Sequence, residues 1–161
     1  TGAYETCFKV NPPLRTAEDA QAIIEGVLDG SVDAIVTDHA PHADWEKARE
    51  FELAPFGMIG IEASLALINT NLVKTGKMGY GKLVELMSIN PRKILGVEPV
   101  SIEAGSLADI TVFDADVEWT VGEDGYVSHA KNCGFAGTKV TGRATDVFAG
   151  GKQTFKNGAI C

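Results

Sequence analysis

Residues 32–42 read VDAIVTDHAPH, and this stretch decides the fold. Its first half contains Ala34-Ile35-Val36, a short continuous apolar run that is typical of a buried strand in a parallel sheet. Its second half places Asp38, His39 and His42 within five residues of one another, directly after that run. Barrels and open α/β sheets build their active sites at the carboxyl ends of parallel strands. The stretch therefore predicts an α/β fold with a candidate site at its end.

The residues before this stretch complete a strand–helix–strand unit. Residues 7–10 read CFKV, a short strand that Pro12-Pro13 ends because proline cannot continue a hydrogen-bonded ladder. Thr16 is a suitable N-cap, and apolar residues at helical spacing follow it as far as Gly30. We therefore expect a βαβ unit, a motif that belongs to parallel sheets.

The chain changes character near residue 98. Before that point, apolar spacing predicts three more helices, at about 61–74, about 79–88 and from Pro91 to just before Gly96. After it, short β-rich runs alternate with glycine-containing turns, which indicates an antiparallel β-layer. These runs are residues 107–114, 117–121, 139–148 and 152–155.

Composition narrows the possible functions. The 161 residues include 22 acidic and 14 basic side chains, and the net charge of −8 argues against a nucleic-acid-binding role. No apolar run approaches the length that would span a bilayer. Three scattered cysteines favour free thiols in a reducing, cytoplasmic compartment. Because the chain starts without Met and a two-stranded parallel sheet belongs inside larger folds, we expect a fragment of a longer protein.

Three motifs carry candidate chemistry, and each has a plain structural alternative. Asp38, His39 and His42 are suited to metal binding or catalysis, but their spacing also fits an Asx turn with two solvated histidines. Residues 9–15 read KVNPPLR and offer polar groups from Asn and Arg, or only a rigid Pro-Pro turn. Residues 54–62 read APFGMIGIE, where glycines allow backbone N–H groups to approach a ligand or simply start a helix.

Taken together, the three motifs resemble the last part of class I dihydroorotases, which belong to the amidohydrolase superfamily. The resemblance covers nearly the whole chain, because downstream stretches also fit its pattern; these are residues 90–91, 105–110, 131–132 and 150–152. It implies that residues 1–98 are the last two βα units of a metal-dependent (β/α)8 barrel. It also implies that residues 99–161 are the C-terminal portion of a small β-sandwich.

The resemblance also assigns roles to individual residues. Asp38 corresponds to the strand-eight aspartate, which contacts one zinc ion and transfers a proton during catalysis. Asn11 and His42 correspond to substrate ligands, with His42 on the carboxylate of dihydroorotate. The backbone at Phe56 and Gly57 corresponds to a further substrate contact. Asn132, in the β-rich half, reads as a structural or surface residue.

The implied activity is that of a zinc-dependent dihydroorotase, which interconverts N-carbamoyl-L-aspartate and (S)-dihydroorotate in pyrimidine biosynthesis. The family's partners suggest a homodimer or a complex with aspartate transcarbamoylase. The family also needs a His-x-His pair and further metal ligands that these residues lack, so we expect the missing ligands upstream and no activity from this segment alone. Two alternatives are a related cyclic amidase, such as an allantoinase or hydantoinase, and a non-catalytic dihydroorotase-like subunit.

Overall fold

A computed structural model describes residues 4–161. The chain divides into two compact units that are not continuous in sequence. Unit one comprises the described residues up to Val32, together with Val36–Leu65 and Trp119–Val140. Unit two comprises Asp33–Ile35, Ala66–Glu118 and Thr141–Cys161.

The first long helix, α1 (Ala17–Asp29), begins where the sequence predicts it. The Thr16 hydroxyl accepts a hydrogen bond from the Asp19 N–H at 3.2 Å. The Asp19 carboxylate in turn accepts one from the Thr16 N–H at 3.1 Å. This reciprocal capping box satisfies two of the N–H groups that every helix leaves unpaired at its start.

The remaining helices also confirm the periodicity of the sequence. A single turn, α2 (Asp44–Lys47), lies between the second and the third motif. The predicted helix over 61–74 and the predicted helix over 79–88 both form, and each ends in a wider π-helical turn. Their bounds are α3 (Ile61–Ile68) with Asn69–Val73, α4 (Tyr80–Val84) with Glu85–Ile89, and α5 (Asn90–Leu95).

The β-rich half forms a four-stranded sheet in the order β1-β2-β3-β4. Its strands are β1 (Ile110–Thr120), β2 (Lys139–Ala149), β3 (Lys152–Lys156) and β4 (Ala159–Ile160). The pairs β2–β3 and β3–β4 are antiparallel, as the closely spaced turn residues predict. The two β-rich runs predicted at 107–114 and 117–121 are one continuous strand, β1.

The two predicted parallel strands are not formed, and this prediction is wrong for the described chain. Residues 7 and 8 are part of a 3₁₀ turn (Thr6–Phe8), and residues 9 and 10 have no strand assignment. The stretch at 32–37 has no strand assignment; the Ile35 N–H donates to Leu86 O at 3.0 Å, and Val36 is 78% exposed. A strand requires a ladder of neighbouring backbone groups, and the apolar run at 34–36 finds no such ladder within residues 4–161.

Each unit has its own buried side chains. In unit two, Leu86 and Asn69 are completely buried, and Leu72 and Leu83 are nearly so. In unit one, the most buried apolar residues are Ala54, Ile59, Ala63 and Val121. No helix in the described part of the chain combines the length and the apolar character needed to cross a membrane.

Candidate active site

The three motifs from the sequence come together in unit one. The Gly57 N–H donates to Lys9 O at 2.9 Å, which joins the first motif to the third. The Ala40 N–H donates to Met58 O at 3.0 Å, which joins the second motif to the third. A single parallel bridge between His39 and Met58 supports the second junction. The segment 56–60 therefore lies between the two motifs that the sequence expects to share one crevice.

Asp38 lies at the turn that begins the second motif. Its φ of 41° lies in the left-handed region, which few residues other than glycine adopt and which aspartate tolerates better than most. Its side chain is exposed, so the carboxylate can be reached from solvent. Strained backbone of this kind persists only where the surrounding structure holds it, and it is concentrated at functional sites.

His42 contacts the backbone of the third motif directly. Its Nε2 lies 2.9 Å from Phe56 O, and because a carbonyl only accepts, Nε2 carries the proton. Its Nδ1 lies 3.8 Å from a Glu46 carboxylate oxygen. Gly57 is buried beside this ring at a φ of 128°. The structure thus places His42, Phe56 and Gly57 side by side, as three parts of one small surface.

His39 contacts different backbone groups from those that His42 contacts. Its Nδ1 accepts hydrogen bonds from the Gly60 N–H at 3.2 Å and the Ile61 N–H at 3.3 Å, at the start of α3. An acceptor nitrogen is unprotonated, so the ring proton is on Nε2. Both histidines are half-buried and hydrogen-bonded, so the alternative of two solvated histidines is wrong.

Two buried lysines, Lys9 and Lys47, hold the loop at residues 51–57, and the sequence analysis missed this function. Lys9 Nζ donates to Phe51 O at 2.7 Å and to Glu52 O at 3.0 Å. Lys47 Nζ donates to Pro55 O and to Gly57 O, each at 2.9 Å.

The two ammonium groups also set the electrostatics of this part of the chain. Lys9 Nζ lies 4.6 Å from the centre of the Phe56 ring, a cation–π contact. Burial lowers the pKa of Lys47, and the charge of Lys9 lowers it further, while the nearby Cys7 opposes these effects. Neither ammonium has an ion-pair partner within residues 4–161, so both add positive charge beside the segment at 56–57.

Asn132 is the third residue whose role sequence reasoning missed. It is 6% exposed, and its carboxamide contacts the second and third motifs. Its Oδ1 accepts from the His42 N–H, and its Nδ2 donates to Ala40 O and to Gly57 O. No sequence signal could have found this role, because Asn132 lies 90 positions from His42 and has no characteristic spacing to it.

Asn11 and Arg15 are less tied to the other motifs. Asn11 follows Lys9 by two positions; it is exposed and makes no side-chain hydrogen bond within the described residues. Arg15 Nε lies 3.6 Å from Asp19 Oδ2 in an exposed ion pair on α1. The structure thus leaves the Asn11 amide free to meet a ligand, whereas Arg15 has a local partner.

A metal ion would need more ligands than the described residues supply. Within residues 4–161, no three His, Cys, Asp or Glu side chains converge on one point. A catalytic zinc ion usually takes about three protein ligands. These residues therefore do not hold a metal by themselves. Asp38 is exposed and could contribute one ligand, whereas the exposed carboxylate of Glu62 in the third motif already accepts from the Val127 and Ser128 N–H groups.

Comparison with known sequences places the chain among hydrolases. The model of the amidohydrolase family matches residues 7–154. A dihydroorotase from Bacillus subtilis is 40% identical over 156 residues, which are 97% of this chain and 36% of that protein. One from Geobacter metallireducens is 46% identical over 153 residues, covering 95% of this chain and 36% of that protein. One from Acetivibrio thermocellus is 48% identical over 139 residues, covering 86% and 33%.

Comparison with solved structures shows that this chain has the fold of the corresponding part of hydantoinases. The L-hydantoinase (dihydropyrimidinase) of Arthrobacter aurescens matches with a TM-score of 0.90 and 29% identity, over 98% of this chain and 36% of that one. A D-hydantoinase (dihydropyrimidinase) from a Thermus species matches with a TM-score of 0.85 and 26% identity, over 97% of this chain and 35% of that one. The chain thus spans about a third of the length of the relatives it matches.

Proposed function

The chain belongs to the amidohydrolase family, and we propose that it is the C-terminal part of a dihydroorotase. The observation that carries this proposal is the identity of 40% to 48% with dihydroorotases along most of the chain. The complete enzyme would interconvert N-carbamoyl-L-aspartate and (S)-dihydroorotate, which are related by closing and opening one cyclic amide bond. Assembly as a homodimer, or with aspartate transcarbamoylase, stays a prediction.

The proposed place of the chain in the full-length protein follows the family fold. Residues 1–98 would belong to the end of a (β/α)8 barrel, and residues 99–161 to a small β-sandwich. The fold match over 98% of this chain and 36% of a hydantoinase supports this placement.

Asp38 is the catalytic residue of the proposal. Its exposed carboxylate can take a proton from the attacking water and return it to the amide nitrogen that leaves as the ring opens. It would also be the ligand that this chain contributes to a zinc ion, with the other ligands supplied by residues outside the chain. The left-handed backbone at Asp38 supports this role, because such strain is stored at functional sites.

The substrate would be bound by residues of the same three motifs that contain Asp38. His42 and the backbone of Phe56 and Gly57 lie side by side, and Asn11 offers an exposed amide. In this proposal the His42 ring turns its N–H from Phe56 O to the substrate carboxylate. The charges of Lys9 and Lys47, which lack carboxylate partners within the described residues, favour an anion there.

A hydantoinase-type activity is the second candidate. It is favoured by the fold match to hydantoinases, with a TM-score of 0.90. Against it, that match has only 29% identity, and the positive charge around residues 56–57 suits an anionic ring better than a neutral one. A third candidate, a non-catalytic subunit, predicts no turnover of any cyclic amide.

The substitution Asp38→Asn in the full-length protein tests the proposal. It keeps the size of the side chain and removes its ability to take up a proton, so kcat for dihydroorotate should fall by ~10²–10⁴-fold. Asp33→Asn is the matched control, because it is the same change at an exposed carboxylate outside the three motifs. Turnover should be measured with dihydroorotate, hydantoin and dihydrouracil in parallel.

The outcomes separate the candidates. Near-normal turnover in Asp38→Asn would refute the role of Asp38, and a preference of the wild type for hydantoin would refute the substrate. Absence of turnover with all three rings would favour the non-catalytic subunit. Residues 1–161 alone should neither retain zinc after dialysis nor open the ring, since no complete set of ligands converges within the described residues 4–161.

A further inference from the structure

We propose that Asn132 is a positioning residue that sets the distance between the two halves of the substrate-binding surface, the loop at His42 and the backbone at Gly57. This inference rests on the proposed function for the identity of the substrate and for the roles of His42 and Gly57 in binding it. The observation behind it is that one buried carboxamide contacts both loops at once, although it comes from a distant part of the chain.

The side-chain amide of Asn132 uses both of its N–H groups and its oxygen in hydrogen bonds. Oδ1 accepts from the His42 N–H at 3.2 Å, and Nδ2 donates to Ala40 O at 3.1 Å and to Gly57 O at 3.2 Å. Only one orientation of the amide makes these hydrogen bonds. If the amide were flipped, its oxygen would face the two carbonyl oxygens and its NH₂ group would face the His42 N–H. The backbone carbonyl of Asn132 also accepts from the Ile59 N–H at 3.1 Å, which fixes the residue itself.

These contacts act on the backbone atoms next to the proposed substrate ligands. Gly57 O is held by Asn132 and by Lys47 Nζ, so its peptide plane has little freedom to rotate. The His42 N–H is held in the same way, and it belongs to the residue whose ring reaches Phe56 O. Releasing the carboxamide would therefore let the two halves of the surface drift apart without touching Asp38.

Asn69 in unit two provides a matched control. It is also a fully buried carboxamide, and its Nδ2 donates to Ala115 O at 3.1 Å and to Thr141 O at 2.8 Å. Its Oδ1 accepts from the Tyr80 hydroxyl at 3.3 Å. Asn69 has the same chemistry as Asn132 but contacts none of the three motifs, so it reports what a purely structural asparagine does.

The test is Asn132→Asp beside Asn69→Asp in the full-length protein. Aspartate keeps the shape and the acceptor, but it replaces the NH₂ group with an oxygen that faces two carbonyls. For Asn132→Asp we expect KM to rise ~10- to 100-fold, the range that loss of one or two buried hydrogen bonds implies, while kcat changes far less. For Asn69→Asp we expect a lower melting temperature and an unchanged KM. KM should be measured on the ring that the wild type opens fastest.

That choice of substrate separates the two proposals. If the preferred ring is not dihydroorotate, the proposed function fails while the role of Asn132 is still decided by the KM of the two variants. Equal increases in KM at matched stability would overturn the positioning role, as would a loss confined to kcat or no change in KM. If Asn132→Asp does not fold, Asn132→Ser decides by the same criterion, since its short hydroxyl cannot reach both carbonyls and adds no charge.

Discussion

Unit one and unit two each contain a buried asparagine and a tightly packed glycine at positive φ, but they use these residues on different kinds of structure. In unit two, Asn69 begins the turn that ends α3 and donates to Thr141 O in β2, and Gly142 lies next to it in the same strand. In unit one, Asn132 and Gly57 hold irregular segments that have no ladder of their own. The same chemistry therefore supports a regular scaffold in one unit and a candidate binding surface in the other.

The difference follows from how backbone groups are satisfied. Helices and strands pair their own N–H and C=O groups, so side chains are needed mainly at their ends. The loop at 51–57 cannot do this, and side chains from elsewhere satisfy it: Lys9, Lys47 and Asn132. The candidate site is thus the part of the chain that depends most on single polar side chains.

The largest expected effect contrasts Gly57→Ala with Gly142→Ala. A Cβ at Gly57 would lie 2.6 Å from the Ala40 Cβ, which no side-chain rotation can move, at a φ of 128°. A Cβ at Gly142 would clash with the Phe113 ring, which can turn, at a φ of 102°. We expect Gly57→Ala to cost about 2–5 kcal/mol of unfolding free energy, from overpacking and left-handed strain, and Gly142→Ala less.

Denaturant-induced unfolding of the full-length protein measures both values. The reverse order would mean that the Ala40 backbone yields more easily than an aromatic ring. In that case the loops of unit one would not be held as rigidly as their hydrogen bonds imply, and the contrast between the units would fail.

The next effect concerns charge, and it compares Lys47→Met with Lys74→Met. Methionine keeps the apolar stem of Lys47 but leaves Pro55 O and Gly57 O without the ammonium donor, so we expect a loss of about 1–3 kcal/mol. Lys74 forms an exposed ion pair with Asp116 in unit two, and such pairs contribute little. Equal losses of unfolding free energy in the two variants would contradict the proposal that Lys47 stabilises the loop at 51–57.

The pH dependence of this difference has a definite sign. Burial holds the pKa of Lys47 below its ordinary 10.5, so the folded protein releases this proton at a lower pH than the unfolded chain does. Between the two pKa values the unfolded state binds more protons, and stability rises with pH. The stability gap between wild type and Lys47→Met should therefore widen as the pH rises toward 10.5, where a neutral amine still donates to both carbonyls.

The regular elements were predictable because their signals are local. The apolar spacing and the cap at Thr16 predicted α1, and the closely spaced glycines at 150–151 predicted the turn between β2 and β3. The three motifs were also predictable as a group: each alone has a plain structural alternative, but together and in this order they resemble dihydroorotases. What failed was the pair of parallel strands, because a strand is defined by neighbours that an apolar run such as 34–36 cannot supply.

The polar contacts of the candidate site could not be predicted. Lys47 lies on a one-turn helix and resembles a surface residue in sequence, yet it is 7% exposed. Asn132 donates to a carbonyl 92 positions away. Such partners depend on tertiary packing, and neither hydrophobic period nor motif spacing carries information about them.

The smallest expected effect concerns α1, a regular element of unit one. Thr16→Ala removes the hydroxyl that caps the helix, and we expect a loss of about 1 kcal/mol, with Thr16→Ser as the control that keeps the hydroxyl. Hydrogen bonds from the Thr16 hydroxyl and N–H hold the pKa of Asp19 below its ordinary 3.8, so the stabilisation is present above 3.8 and is lost as the pH falls through the folded value. The alanine variant should therefore show an Asp19 pKa closer to 3.8, by NMR titration of its carboxyl carbon, and a smaller loss of stability in acid. If Thr16→Ser lost as much stability as Thr16→Ala, the cap would not depend on the hydroxyl. In that case α1, like the loops of unit one, would be stabilised mainly by residues distant in the sequence.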